Sequence, residues 1–340
     1  MRKNFLFLLL AGVVFGGCRG TGVVFNKHSV DLNKIKRVAV IPAADALPIG
    51  GTAYDRHNIV VSDLVEMAFI SLGYTVVDTA NLGSILKEQA LSVNGLIDPA
   101  DALMIGKQYG VDTLAFVNTS GDMRTTKVRL VDTEKGRVIF AYQQPPGVVD
   151  HFWAWKMHKD LKKALTAAGV PIDASKAKTY HGGDARGNSY SCVNDPVLIK
   201  SVKKVAISPD SKSDLGLSAL LAAGFDVIER GELGKILKQN NLAASGVLSG
   251  EEMKQLGAIS GVKGIVFSRM TDYKWAGSKI GVTIPILGSV KLVDAQTGQV
   301  LWVACPGNDA NYFSAGNLTP EDYIASSDKT LTKYLAKMMR

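Results

Sequence analysis

Residues 73–95 read GYTVVDTANLGSILKEQALSVNG, and residues 224–246 read GFDVIERGELGKILKQNNLAASG. Aligned end to end, the two stretches are identical at nine of 23 positions, whereas unrelated segments of ordinary composition share roughly one or two. This identity predicts an internal duplication. Each stretch joins a short β-branched run to apolar residues at helical spacing, so the duplicated unit is predicted to combine strands with helices.

The sequence around these stretches repeats in the same order. KRVAVIP at 36–42 corresponds to KKVAISP at 203–209, and VRLVDTEKGRVIFAY at 128–142 corresponds to VKLVDAQTGQVLWVA at 290–304. Each first segment predicts a strand that ends at a proline, and each last segment predicts two strands around a turn. Alternating strands and helices predict the α/β class, with two tandem α/β sandwich modules that each contain a mixed sheet flanked by helices.

The copies and the segments around them divide the chain into five predicted parts. These are a lipoprotein signal peptide at 1–17, a lipidated N-terminal tether at 18–35, a first α/β module at 36–169, a linker at 170–200 and a second α/β module at 201–340. Several glycines in the fourth part indicate the linker.

Composition supports a globular protein of about two domains. The 340 residues are 46% hydrophobic and 21% charged, which excludes disordered and fibrous classes. The formal net charge is +8, which permits contact with anionic surfaces without demanding it.

The N-terminus predicts export and lipidation. Arg2 and Lys3 precede an apolar run at 5–15 that is too short to span a bilayer, and small residues lead to Cys18. This arrangement resembles a bacterial lipobox, so Cys18 is the predicted lipidation site, with an ordinary signal peptide as the alternative. Arg19 occupies the position where inner-membrane lipoproteins carry Asp, which favours the outer membrane.

Export also bears on the remaining cysteines and on partners. Cys192 and Cys305 are an even pair in an oxidising compartment, and the sequence leaves open a disulfide or two separate thiols. Nucleic acid is not expected as a partner, because the chain leaves the cytoplasm.

Residues with catalytic potential do not form a site at recognisable spacing. Ser84 and Lys87 fit the S-x-x-K pattern of penicillin-recognising enzymes, but Lys235 replaces the serine in the second copy and no K-T-G accompanies it. His151 and His158 lie seven residues apart on one predicted helix without a third metal ligand at fixed spacing. We therefore expect no enzyme, no metal site and no cofactor.

The repeated motifs resemble those of a known family. A strand VAVIP, a helix, the pattern ER.EL.KIL..N.L..SG and the pattern V.LVD..TG.VL are similar to the curli production assembly and transport lipoprotein family. The resemblance covers both copies. It implies an anticodon-binding-domain-like α/β fold in the periplasm. It also implies relatives that serve exopolysaccharide export and peptidoglycan synthesis as assembly or regulatory parts without catalytic residues.

The curli secretion member of that family builds an outer-membrane pore from two long β-hairpins per protomer. At the equivalent place in the second copy, four apolar residues alternate with polar ones and are candidate hairpin contacts: Ile280, Val282, Ile284 and Ile286. Pro285 interrupts this alternation. The pattern favours a hairpin that packs on a helix or a neighbour, with insertion into the membrane as the alternative.

A second resemblance to the family concerns the segment before the first long helix. Tyr54, Asn58 and Ile59 resemble the Tyr, Asn and Phe of the family's channel constriction loop, with Ile59 in place of the Phe. They are a candidate interaction or constriction loop, and a plain surface loop is the alternative.

These observations predict a non-enzymatic lipoprotein on the periplasmic face of the outer membrane, held there by acyl chains. It would act as a scaffold or accessory component of an envelope assembly or export system, with envelope proteins or sister chains as partners. Two alternatives remain. One is a pore-forming secretion channel subunit that uses the second-copy hairpin. The other is an exported cell-wall hydrolase, which would use Ser84 or His181, or a regulator of peptidoglycan synthesis.

Overall fold

Two mixed β-sheets with flanking helices organise the computed structural model. It describes residues 23–26, 32–42, 53–78, 99–119, 125–144, 151–173, 175, 178–181, 190–209, 211, 213–242, 250–271, 287–306 and 320–340. The mixed sheets and their helices confirm the predicted α/β class.

The first sheet has six strands in these ranges, in the order β1-β6-β5-β4-β2-β3. The strands are β1 (Val23–Asn26), β2 (Arg37–Pro42), β3 (Thr75–Val77), β4 (Thr113–Thr119), β5 (Thr126–Asp132) and β6 (Arg137–Gln143). The accompanying helices are α1 (Ala53–Ser71), α2 (Pro99–Tyr109) and α3 (His151–Ala167), with a short 3-10 helix at Leu32–Lys34.

The second sheet has seven strands in the same described part, in the order β10-β9-β11-β12-β13-β8-β7. The strands are β7 (Lys178–His181), β8 (Tyr190–Val193), β9 (Lys204–Ile207), β10 (Asp226–Ile228), β11 (Gly264–Thr271), β12 (Leu287–Asp294) and β13 (Val300–Cys305). Its helices are α4 (Pro196–Ser201), α5 (Leu217–Ala222), α6 (Arg230–Gln239), α7 (Gly250–Ser260) and α8 (Pro320–Met339).

The two sheets share a pattern of pairing. In the first, β2 is parallel to β3 and β4, and antiparallel pairing continues through β5 and β6. In the second, β9 is parallel to β10 and β11, and antiparallel pairing continues through β12 and β13. A register shift follows Leu130 in one sheet and Leu292 in the other. This is consistent with two α/β modules, while the duplication itself stays a prediction.

Part of the segment predicted as a linker, residues 170–200, is regular structure. β7 and β8 pair with each other, and β8 extends the second sheet beyond β13. Asp195 then caps α4, since its side chain accepts hydrogen bonds from the backbone N–H groups of Val197 and Leu198. Because the glycines between β7 and β8 indicate a linker, the sequence does not predict these two four-residue strands.

Helix α1 lies between the two sheets. It is buried at every position from Val60 to Leu72, as expected of a helix that is covered all round. On one side it packs against β2 and β4, and on the other against β8, β11, β12 and β13. One hydrophobic core therefore contains residues of both halves, for example Val40 and Leu130 with Phe267 and Val303.

Helices α2, α5 and α8 cover the outer faces, whereas α3, α6 and α7 contribute Leu165, Leu233 and Leu256 to the core around α1. Helix α2 places Ala102 and Ile105 on the far face of the first sheet. Helices α5 and α8 cover the far face of the second sheet, where Trp302 and Leu335 are fully buried. No helix in the described ranges combines the length and the apolar character needed to cross a membrane.

Candidate functional site

Charged side chains from both halves meet where α1 contacts the second sheet. Asp63 and Glu66 come from α1, Asp78 follows β3, Arg269 lies in β11 and Lys291 lies in β12. We call these five residues the ionic cluster. The side chain of Lys291 is only 2% exposed and that of Arg269 is 19% exposed. The cluster is therefore an internal feature of the junction between the halves.

Lys291 is the centre of the cluster. Its Nζ lies 2.5 Å from Asp78 Oδ1, 3.0 Å from Glu66 Oε1 and 3.3 Å from Asp63 Oδ1. The ammonium group donates hydrogen bonds to Glu66 and Asp78 and forms an ion pair with Asp63. Asp63 also accepts hydrogen bonds from Arg269 Nη1 at 2.7 Å and from Ser289 Oγ at 2.5 Å.

Secondary structure explains why these side chains converge. Asp63 and Glu66 are three residues apart, which puts them on the same face of α1. Ser289 and Lys291 are two apart on β12 and so share a face of the second sheet. The ring of Phe267 lies beneath both cations, with its centroid 5.4 Å from Arg269 Cζ and 5.7 Å from Lys291 Nζ. The cations are thus held by an aromatic face as well as by carboxylates.

Burial and charge act in opposite directions on the Asp63 carboxyl and on the two cations. Desolvation alone would raise the pKa of Asp63, but Arg269 and Lys291 outweigh it and lower the pKa. Desolvation alone would lower the pKa values of Lys291 and Arg269, but the nearby carboxylates outweigh it and raise both. Asp63, Arg269 and Lys291 are therefore all charged at neutral pH.

Glu66 behaves differently. Desolvation, with a further contribution from Asp63 and Asp78, raises the pKa of Glu66 to about 8, although Lys291 opposes the shift. Its Oε2 atom is buried and has no hydrogen-bond partner among the described residues. The cluster has three carboxyl groups and two cations, so a proton on Glu66 brings it to electrical balance at neutral pH.

This arrangement suits structural pairing better than catalysis. Lys291 is paired with all three carboxyl groups, and these side chains are at most 2% exposed. In the part of the chain that the structure describes, no group of three or more His, Cys, Asp or Glu side chains is arranged to hold a metal ion.

Several predicted site residues lie outside the described ranges. They are the lipidation site Cys18, the hairpin residues Ile280, Val282, Ile284 and Ile286, and Ser84 of the S-x-x-K pattern. The expectations attached to them stay predictions.

The candidate loop of Tyr54, Asn58 and Ile59 is helical. All three lie in the first two turns of α1, which begins at Ala53. The long helix therefore begins farther toward the N-terminus than its apolar pattern, which starts at Val60, indicates. A role for these residues in interaction stays a prediction.

Cys192 and Cys305 lie on adjacent strands, and both side chains are buried. Cys192 is opposite Val303, and Cys305 is opposite Tyr190, so the cysteines occupy diagonal positions rather than facing positions. Burial raises the pKa of the Cys305 thiol well above its ordinary value. A disulfide between them stays a prediction.

The histidines considered as metal or catalytic residues are spread over different elements. His151 begins α3, and His158 lies two turns further along α3 with its side chain buried. His181 ends β7 in the second sheet. They do not join the ionic cluster.

None of the five residues of the ionic cluster is predicted from the sequence as part of a site. One signal was present: charged residues interrupt otherwise apolar runs, as in VVSDLVEMAF around Asp63 and Glu66 and in SVKLVD around Lys291. Charged residues are almost never fully buried unless they are paired. The signal points to pairing but does not identify the partner.

Comparison with protein families locates the resemblance in the second half. Residues 183–311 match the family model of the curli production assembly/transport component CsgG. The match confirms the resemblance inferred from the repeated motifs over this range, which contains β8 to β13. It begins inside the segment predicted as a linker, in keeping with the position of β8 in the second sheet.

Two groups of solved structures are also similar. The lipoprotein GNA1162 from Neisseria meningitidis is 18% identical, with 32% of this chain and 84% of that chain covered at a TM-score of 0.22. A PelC dodecamer from Paraburkholderia phytofirmans is 16% identical, with 47% and 97% covered at a TM-score of 0.23. At these TM-scores no correspondence of sites is inferred. The comparison with curated proteins gave no match.

Proposed function

We propose that this protein is a non-enzymatic lipoprotein on the periplasmic face of the outer membrane. In this proposal, acyl chains on Cys18 hold it to the bilayer, and the folded halves act as a scaffold or accessory component of an envelope assembly or export system. The observation that carries the proposal is the family match at residues 183–311, since that family is a component of curli production, assembly and transport.

The chemistry of the ionic cluster supports a role without catalysis. Its carboxylates and cations are buried against each other and bind the two halves together. Catalytic groups need access to substrate and a partner-free atom directed at it. In the described ranges, the charged groups of the ionic cluster instead pair with each other and stabilise the fold.

Docking through sheet edges is the proposed mode of action. Among the described strands, β10 pairs with β9 alone and ends the second sheet on one side, and β7 ends it on the other. Exposed edges offer unpaired backbone groups to an added strand. The same edges would serve for self-association, so a homo-oligomer is part of the proposal.

The proposal is tested by expressing the full chain and the Cys18→Ala variant in a Gram-negative host. We expect the full chain in the outer-membrane fraction with an acylated N-terminal peptide by mass spectrometry, and the variant released from the membrane. Chemical crosslinking in intact cells should then join the chain to envelope proteins or to itself, and light scattering should give the oligomeric state.

Different results would contradict the lipid anchor, the absence of catalysis and the scaffold role. An unmodified Cys18 in a protein free of the membrane would overturn the anchor. Turnover of cell-wall substrates that is lost in Ser84→Ala or His181→Ala would support a hydrolase, and ion conductance in planar bilayers would support a channel.

A further inference from the structure

The first strand begins only a few residues after the predicted anchor. Val23 is five positions after Cys18 and opens β1, which pairs with β6 so that Val23 lies opposite Gln143. A fully extended chain spans at most about 3.6 Å per residue, so Val23 can be no more than roughly 18 Å from the anchored residue. One end of the first sheet is thereby tied to the bilayer surface.

Strand register defines which end this is. Gln143 lies opposite Lys127 at the start of β5, and Lys127 lies opposite Asn118 near the end of β4. The other end of the same strands carries the turn at 133–136 between β5 and β6. β5 has seven residues and is about 23 Å long at roughly 3.3 Å per residue.

The direction of helix α1 relates the two ends of the first sheet to those of the second sheet. The helix follows β2 and precedes β3, so it runs from the Val23 end of the first sheet toward the opposite end. Along α1, Asp63 contacts Ser289, and Glu66 three residues later contacts Lys291. α1 and β12 therefore run in the same direction, and the start of β12 at Leu287 lies on the same side as Val23.

Helix α8 also begins on that side. The backbone N–H of Gly288 donates to Tyr323 Oη at 2.9 Å, and Tyr323 Oη donates to the Pro306 carbonyl at 2.9 Å. Tyr323 lies in the first turn of α8, close to the exposed Glu321. On the opposite side, the carbonyl of Lys263 accepts from Ala295 in the turn between β12 and β13.

We propose that the side of the molecule formed by Val23, Lys127, Gln143, Leu287 and Glu321, here the anchor side, faces the membrane surface. The opposite turn side, with Lys135 and Lys263, points into the periplasm. The proposal rests on the lipid anchor of the proposed function. It adds that the short tether and the shared direction of α1 and β12 orient both halves alike, so both present the same side to lipid headgroups.

Fluorescence transfer to the membrane tests this orientation. Four single substitutions place an exposed thiol on either side of each half: Lys127→Cys against Lys135→Cys, and Glu321→Cys against Lys263→Cys. The native Cys192 and Cys305 are buried and should not be labelled in the folded protein. Each lipidated full-length variant carries a donor dye and is reconstituted into phosphatidylethanolamine–phosphatidylglycerol vesicles with an acceptor on the headgroups.

We expect stronger transfer from Lys127→Cys than from Lys135→Cys, and from Glu321→Cys than from Lys263→Cys. Equal transfer within either pair, or the reverse order, would overturn the orientation. Mass spectrometry of the same preparations reports separately on Cys18. A chain without acyl groups would contradict the proposed anchor, whereas acylated protein with equal transfer contradicts only the orientation.

Discussion

Lys291 Nζ and Asp78 Oδ1 lie 2.5 Å apart, although 213 residues separate them in the chain. Asp78 follows β3 in the first sheet, and Lys291 lies in β12 of the second. The backbone N–H of Asp78 also donates to the Gly298 carbonyl at 2.8 Å. The contact between the halves therefore combines buried charge with main-chain hydrogen bonding and apolar packing around α1.

Removal of the central cation should strongly destabilise the protein. Lys291→Met keeps most of the side-chain volume but leaves buried carboxylates without their cation. Breaking a buried ion pair in this way costs about 3–5 kcal/mol. The free energy of unfolding from urea titration measures the loss. Lys127→Met, on an exposed position of β5, is the matched control and should change stability by roughly 0.5 kcal/mol or less.

A variant in which the cluster is neutralised distinguishes the effect of charge on stability from the effect of packing. If unpaired carboxylates cause the loss, then Asp63→Asn, Glu66→Gln and Asp78→Asn combined with Lys291→Met should recover a large part of the stability lost in Lys291→Met alone. Equal stability of the quadruple and single variants would mean that lost packing, not charge, is responsible.

The pKa of Glu66 predicts a stability that falls as pH rises. Its pKa is about 8 in the folded protein and 4.5 as the ordinary value. Between these two values the folded state holds a proton that the unfolded state has lost, so alkali favours unfolding. This one group contributes a slope of up to about 1.4 kcal/mol per pH unit. Asp63, whose pKa is lowered, loses its contribution only in acid below this window.

Glu66→Gln removes the titration while keeping the shape of the side chain. Urea unfolding at pH 5 and at pH 8 should show a smaller loss of stability in this variant than in the natural chain. Glu134→Gln, in the exposed turn after β5, should leave the pH dependence unchanged. An unaltered slope in Glu66→Gln would reject a raised pKa at this position.

Two glycines at corresponding positions of the repeated stretches should differ in their tolerance of a side chain. Gly73 and Gly224 both have positive φ, at 93° and 84°. A Cβ on Gly73 would overlap the Asp173 carbonyl group, whereas a Cβ on Gly224 meets nothing within 4 Å. Gly224→Ala should cost about 1–2 kcal/mol from backbone strain. Gly73→Ala should cost more, on the order of 3 kcal/mol, because the backbone must also move. Thermal or urea unfolding of both variants compares them, and equal losses would contradict the close approach of Asp173.

The native thiols should be protected from reaction. Cys192 and Cys305 are 0% and 5% exposed, and the pKa of the Cys305 thiol is raised by burial. A maleimide reagent should modify neither thiol in the folded protein and both in urea without reductant, as counted by mass spectrometry. Lys135→Cys supplies an exposed thiol that should react at once. Modification in urea only after reduction would demonstrate the disulfide that the sequence left open.

The sequence predicted secondary structure best where the pattern involves residues that are close together in the chain. The period of apolar positions located α1 and the strands on either side of it. The segments at 128–142 and 290–304, each predicted as two strands around a turn, located β5 with β6 and β12 with β13. The sequence did not predict β7 and β8, because glycines between them indicate a linker. These four-residue strands pair with each other, and β8 also pairs with β13. Prediction also failed at residues 53–59, where the sequence predicts a loop and the structure has the first turns of helix α1.

The sequence by itself determined the α/β class, much of the order of strands and helices, and a family resemblance now matched over residues 183–311. These features follow from local propensity, periodicity and repetition, all of which are read along the chain. Only the tertiary structure decided that α1 lies between the sheets and that Lys291 pairs with Asp63, Glu66 and Asp78. A charged residue within an apolar run indicates from the sequence that it needs an oppositely charged partner. The identity of that partner depends on how distant segments of the chain pack, and local sequence patterns do not contain this information.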